Sequence, residues 1–474
     1  MNRLIYILLI SFFFVNDVSA QNEQFNLSIK VDGVRDSLIY LANYYGDKQF
    51  LKDSTHADAN GKFTFKSKEE IPGGIYLVVL PGRRYFEVVI DKEQKFSMET
   101  VDNQLVENMK VSGSEQNKLF YNYLSFIQQK QKEVEPLRAA LERTKEIADS
   151  AEFYRSKINV IDKEVKDYKD NYIKKHPEWL MSKLFKASTD PVIPDPPKNE
   201  AGVIDSSFSF NYYKAHYFDN MDFSDERLLR TPVFHNRLQY YLKNLTVQIP
   251  DSINKEADFL ISKAKANKEV FRYVVNYITY TYETSNIMGM DAVFVHMAKN
   301  YYTPEQAYWV DSTQLYKIQD KATTLEPLLL GKKAPNLVMK DENGKFQSLQ
   351  DVNAKFTILY FWDPDCSHCK KVTPKLAEYY DKVKNKGVQV FAVCTEVETD
   401  KWKKFISEYN LHWINVHDPD FRVNFRKLYD IQTTPIVYVL DDKKTIIAKK
   451  LGVEQLEEIL DNFIKRDMSQ QVNE

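Results

Sequence analysis

The spacing of apolar positions divides the chain into three parts. From Phe25 to about Ser112 the period is two: Phe25, Leu27, Ile29 and Val31 alternate with polar residues, as a half-buried strand does. Asn60-Gly61 is a tight-turn signal leading into a strand at Lys62 to Lys66, and Ile75 to Leu80, Tyr85 to Ile90 and Lys95 to Val101 predict three more. Pro81-Gly82 and Asp91-Lys92 separate them, so this part predicts a small antiparallel, sandwich-like β module.

Near Gly113 the period lengthens. Ser114 is placed to cap a helix through Leu119, Tyr123, Phe126 and Ile127, which Pro136 is expected to interrupt or restart. Tyr154, Ile158, Ile161, Val165, Tyr168 and Tyr172 then recur at spacings of three and four between charged positions. Two such helices in succession predict an antiparallel hairpin, with an intermolecular coiled coil as the alternative. The proline-dense segment Thr189 to Lys198 is expected to be extended. Helical patterns resume over Phe234 to Leu245, Ile253 to Ala266, Glu269 to Glu283 and Asp291 to Asn300.

The ends carry other signals. Arg3, the apolar run Leu4 to Val15 and the small residues Val18-Ser19-Ala20 fit a secretory signal peptide over residues 1–20. No later segment approaches the roughly twenty apolar residues of a membrane helix, so the mature chain is expected to carry no span and to be exported. The 65 basic residues nearly balance the 67 acidic ones, which leaves no electrostatic footprint for nucleic acid. Three cysteines in 474 residues are too few for a structural disulfide framework.

Two of those cysteines lie in Phe361-Trp-Asp-Pro-Asp-Cys366-Ser-His-Cys369-Lys370, between an apolar β-prone run and a helix-compatible run. At a helix start this spacing puts both sulfurs on one face, a turn apart. The N-terminal sulfur also faces unpaired N–H groups and the positive end of the helix dipole, which favour its thiolate. A thiolate beside a second thiol passes disulfides to and from other molecules. A zinc site would need two further ligands, and Cys394, His412 and His417 fit no zinc pattern, so no metal is expected. Cys394, ending an apolar run from Val388, is expected to be a small buried residue.

The span from Gly331 to about Ile464 resembles the TlpA- and ResA-like branch of the thioredoxin superfamily, bacterial envelope thiol–disulfide oxidoreductases. The matching features are Gly331-Lys-Lys-Ala-Pro335, the hairpin at Asp341-Glu-Asn-Gly344, the Phe-Trp-x-x-x-Cys-x-x-Cys-Lys run, and Thr434-Pro435 before an apolar strand. The resemblance implies that Pro435 is cis and lies beside the sulfurs, that the Thr434 backbone pairs with an extended substrate, and that Trp362 packs beneath. It also implies no organic cofactor. Two departures stand out: thioredoxin has a buried Asp at the position of Tyr360, and ResA-like proteins have a Glu at that of Val372. Glu396 is a candidate replacement as proton acceptor. His368, second of the two residues between the cysteines, is expected to favour the Cys366 thiolate as an imidazolium.

The resulting expectation is a multidomain α+β protein. It comprises a signal peptide (1–20), an N-terminal antiparallel β-sandwich-like module (21–112) and a central helical module (113–328). A C-terminal thioredoxin-like α/β domain (329–467) and a disordered tail (468–474) follow. The first two modules resemble families of unknown function. The expected activity is exchange of disulfides with protein thiols, in the periplasm or cell envelope, with Cys366 as nucleophile and Cys369 as resolving thiol. An unidentified envelope electron donor or acceptor would be the partner. The alternatives are an AhpC/TSA-like thiol peroxidase, which the Pro364-Asp365 approach to Cys366 disfavours for want of a hydroxyl, and an envelope binding protein with an accessory redox domain.

Overall fold

A computed structural model describes residues 23–198 and 202–471. The expected signal peptide lies outside the described residues. Contacts divide the chain into two units, Met1–Tyr241 and Leu242–Glu474.

In the first unit, eight strands precede the helices: β1 (Phe25–Asp32), β2 (Leu38–Tyr45), β3 (Lys48–His56), β4 (Lys62–Ser67), β5 (Gly74–Val79), β6 (Tyr85–Ile90), β7 (Lys95–Val101) and β8 (Lys110–Ser112). They form two four-stranded sheets, ordered β4-β1-β7-β8 and β3-β2-β5-β6. The alternation in β1 sets the register. Leu27 lies opposite Phe65 and Phe96, Ile29 opposite Phe63 and Met98, and all six are buried. One pairing departs from the antiparallel expectation, because β1 runs parallel to β7. Gly61, at the predicted turn, has a positive φ of 76° and a site where a Cβ would meet the Val31 carbonyl oxygen at 2.2 Å.

The helices α1 (Glu115–Thr144), α2 (Ala148–Lys175), α3 (Leu180–Ala187), α4 (Phe208–His216) and α5 (Pro232–Asn244) follow. Ser114 caps α1 by accepting the Asn117 N–H. Buried Asn117 ties the helix to β6 through both backbone groups of Val89. Contrary to expectation, Pro136 lies inside α1 without ending it. Val134 just before it, with Ala151 and Ile158 on α2, is buried, so packing along the hairpin sustains the helix across the proline. Phe126 stacks on Tyr168 at 4.7 Å to form the aromatic seam.

The division between units falls within α5, so the expected helical module is shared between them. In the second unit, α6 (Pro250–Ala264), α7 (Lys268–Glu283), α8 (Asp291–Tyr301) and α9 (Ser312–Leu325) lead into an α/β domain. Its elements are β9 (Val338–Lys340), β10 (Phe346–Ser348), β11 (Phe356–Trp362), α10 (Ser367–Val383), β12 (Val388–Cys394), α11 (Thr399–Glu408) and β13 (Ile414–His417), followed by α12 (Phe425–Leu428), β14 (Ile436–Leu440), β15 (Ile446–Lys449) and α13 (Val453–Gln471). The seven strands are ordered β10-β9-β13-β12-β11-β14-β15. Central β11 pairs in parallel with β12 and antiparallel with β14, and every residue in it is buried. Ile358, Tyr360 and Trp362 face a core shared with α10, while Leu359 and Phe361 face the core on the other side. The helix α13 continues to Gln471, into the segment expected to be a disordered tail. No glycine or proline interrupts residues 465–471, so nothing there ends a helix.

Lys449, the last residue of β15, is 4% exposed. Its ammonium is paired with Asp291 of α8 and donates to the Leu328 carbonyl at 2.6 Å. The α/β domain is therefore tied to the preceding helices by a buried charge.

Candidate active site

β11 ends at Trp362, and the chain turns through Asp363, Pro364 and Asp365 into α10. The turn is built from its own polar groups: the Asp365 N–H donates to Asp363 Oδ1 at 2.8 Å, and the Cys366 N–H to the Asp363 carbonyl at 3.2 Å. Thr395, just past β12, braces it by donating its N–H to the Trp362 carbonyl and its hydroxyl to Asp363 Oδ2 at 3.0 Å. These bonds place Cys366 as the N-cap of α10, where its sulfur accepts the Cys369 N–H at 3.3 Å.

Both cysteines are free thiols, in different surroundings. Cys366 is partly exposed, and its thiol reaches the Thr434 carbonyl at 3.4 Å. Burial tends to raise its pKa, but the Cys369 N–H, the Cys369 thiol, the Thr434 side chain and the His368 N–H together outweigh it and hold the group below the ordinary value of about 9. Cys369 is fully buried, and burial pushes its thiol up to about 12. One sulfur is thus biased toward its thiolate and the other toward its thiol.

The remaining residues singled out from sequence fall as follows. The Thr434–Pro435 bond is cis, and it brings Thr434 against the Cys366 sulfur. Trp362 is buried in the core shared with Cys369, its ring 4.6 Å from Phe405. His368 is exposed; its backbone N–H acts on Cys366, while its ring helps depress the Glu454 carboxylate. Glu396 spends its carboxylate on the N–H groups of Val397 and Glu398, at 2.7 and 3.1 Å, rather than on Cys369. Cys394 is buried opposite Trp362, and burial raises its pKa strongly.

Asp363, Asp365 and Glu396 have carboxylate oxygens within 4.8 Å of one another. Each already has protein partners, Asp365 through Lys401 at 2.9 Å, Asp363 through Thr395 and Glu396 through the Val397 N–H. Sequence reasoning noted Tyr360 only as the position of a missing carboxylate and passed over Thr373. Their hydroxyls meet at 2.8 Å, both fully buried, behind Cys369. The available signal was that Thr373 lies four residues after Cys369, on the same helix face.

Comparison with known proteins agrees with this geometry. Residues 330–449 match the AhpC/TSA family, residues 201–326 a domain of unknown function (DUF5106), and residues 25–120 another (DUF4369). The thiol-disulfide oxidoreductase ResA of Bacillus cereus is 30% identical over 141 residues, covering 30% of this chain and 80% of its own. ResA of Bacillus subtilis is 30% identical over 127 residues, covering 27% and 70%. Among solved structures, a domain of a possible thiol-disulfide isomerase from Cytophaga hutchinsonii is 46% identical, covering 30% of this chain and 98% of that one, with a TM-score of 0.29.

Proposed function

Because the chain belongs, through its C-terminal domain, to the ResA thiol–disulfide oxidoreductases of the thioredoxin superfamily, we propose that it exchanges disulfides with protein thiols through Cys366 and Cys369, outside the cytoplasm. The observation that carries this reading is the unequal pair: an N-capping, partly exposed sulfur biased to thiolate, with a buried neutral thiol one turn behind it. The Cys366 thiolate attacks a substrate disulfide, forming a mixed disulfide and releasing one substrate thiolate. Cys369 then attacks Cys366, forms the internal disulfide and releases the second substrate sulfur. Thr434 and Pro435 line the approach to Cys366, and Trp362 supports the turn from below. An envelope protein of matching potential resets the pair.

A peroxidase reading is less well supported, because Pro364 and Asp365 precede Cys366 and leave no Ser or Thr hydroxyl there to hold a peroxide. The test is reduction of insulin disulfides by the full chain with dithiothreitol as electron source. Turnover that disappears in Cys366→Ser supports the reading. Turnover equal to that of dithiothreitol alone, or unchanged by the substitution, overturns it.

A further inference from the structure

Resolution of a mixed disulfide needs Cys369 as a nucleophile, yet Cys369 sits in an apolar core among Trp362, Val372, Leu376 and Val437. An anion forming there must be met by a hydrogen-bond donor already in place. The titratable groups facing Cys369 are Cys366 ahead of it on the helix, Tyr360 on β11 and Cys394 on β12. Cys394 is a buried thiol whose S–H points to the Glu396 carbonyl at 3.9 Å, so it is already directed elsewhere. The Asp363 backbone N–H and the Thr434 side chain also reach the Cys369 sulfur and favour its ionisation, but burial outweighs them, and the Asp363 carboxylate is held by Thr395.

Tyr360 offers a further donor. Its hydroxyl meets Thr373 Oγ1 at 2.8 Å, one turn beyond Cys369 on α10 and in the same buried core, which places it within electrostatic reach of the Cys369 sulfur. Each hydroxyl carries one hydrogen. If Thr373 donates to the Tyr360 oxygen, the Tyr360 hydrogen is free to point at sulfur, and the first bond strengthens the second. Thr373 lies one helical turn beyond Cys369, so α10 fixes both groups relative to each other.

On the dithiol-exchange reading above, we propose that Tyr360 is a catalytic residue for the resolving step, donating a hydrogen bond to the Cys369 sulfur as it ionises, and that Thr373 is the positioning residue that orients the Tyr360 hydroxyl. In that step Cys369 gives up its proton and its sulfur bonds to the Cys366 sulfur. The bond from Cys366 to the substrate sulfur breaks, and the departing sulfur takes the electron pair and a proton. No external oxidant or reductant enters, and Tyr360 begins and ends the step protonated.

The experiment uses the full chain and 5,5′-dithiobis(2-nitrobenzoate), which releases thionitrobenzoate once when Cys366 is modified and again when Cys369 resolves the adduct. Tyr360→Phe should leave the first release unchanged and slow the second about tenfold or more at pH 7, the worth of one hydrogen bond to a charged group. The pH midpoint of the second release should move upward. Thr373→Val should shift both readouts in the same direction by less, and Thr373→Ser should restore them. A second release unchanged in Tyr360→Phe, or both releases slowed equally, overturns the proposal. If Tyr360→Phe does not fold, the Thr373 pair decides: equal second-release rates in Thr373→Val and Thr373→Ser overturn it. Absence of a second release from the unaltered chain would instead overturn the dithiol-exchange reading.

Discussion

Alkylation of the two cysteines should be strongly unequal, and the structure sets a floor for the inequality. The perturbation is iodoacetamide added to the reduced full chain at pH 7. Cys366 titrates below about 9, because the N–H and thiol of Cys369 with Thr434 and His368 outweigh its burial; Cys369 is pushed up to about 12 by its own burial. The gap between 9 and 12 favours the Cys366 thiolate by about a thousandfold. The more basic Cys369 thiolate regains about twentyfold in intrinsic nucleophilicity, which leaves Cys366 faster by about fiftyfold. Full burial of Cys369 widens that margin by excluding the reagent. Raising the pH should bring Cys366 to a plateau before Cys369 does, so the ratio falls as pH rises. Peptide mapping of the alkylated cysteines over time gives both rates. Rates within about fivefold of each other at pH 7 would refute the assignment of roles.

Two further outcomes are expected. Asp291→Ala should destabilise the fold by about 3 kcal/mol in denaturant unfolding, since it leaves the buried Lys449 ammonium unpaired, and adding Lys449→Met should recover most of the loss; a cost under about 1 kcal/mol would show that the pair is not what ties the helices to the sheet. His368→Leu should move the pH midpoint of Cys366 alkylation by less than about 0.3 unit, because the His368 N–H that acts on the sulfur survives the change; a rise of about a full unit would show that the imidazole itself stabilises the thiolate.

The parts of the fold legible in the sequence are those whose burial imposes a period. β1 alternates because one face is core, and α10 follows a C-x-x-C because a cap, a turn and an apolar stripe coincide there. β3 was invisible for the opposite reason: none of its residues is buried, so Lys48–His56 carries no pattern, and pairing with β2 holds it. α9 was missed because it buries only Ala322 and Leu325. At the site, the cysteines announce themselves by spacing, whereas the hydroxyl pair of Tyr360 and Thr373 joins a strand to a helix and acquires meaning only in three dimensions. The Lys449–Asp291 pair spans 158 positions and was beyond any local reading.

The central claim is that Cys366 attacks protein disulfides and Cys369 completes the exchange. Its most direct test is the Cys369→Ser variant incubated with disulfide-bonded insulin and resolved on non-reducing gels. The account predicts a covalent adduct on Cys366 that persists until dithiothreitol is added, is only transient in the unaltered chain, and does not form in Cys366→Ser/Cys369→Ser. An adduct that forms equally well without Cys366, or none in Cys369→Ser while insulin is still reduced, would contradict it.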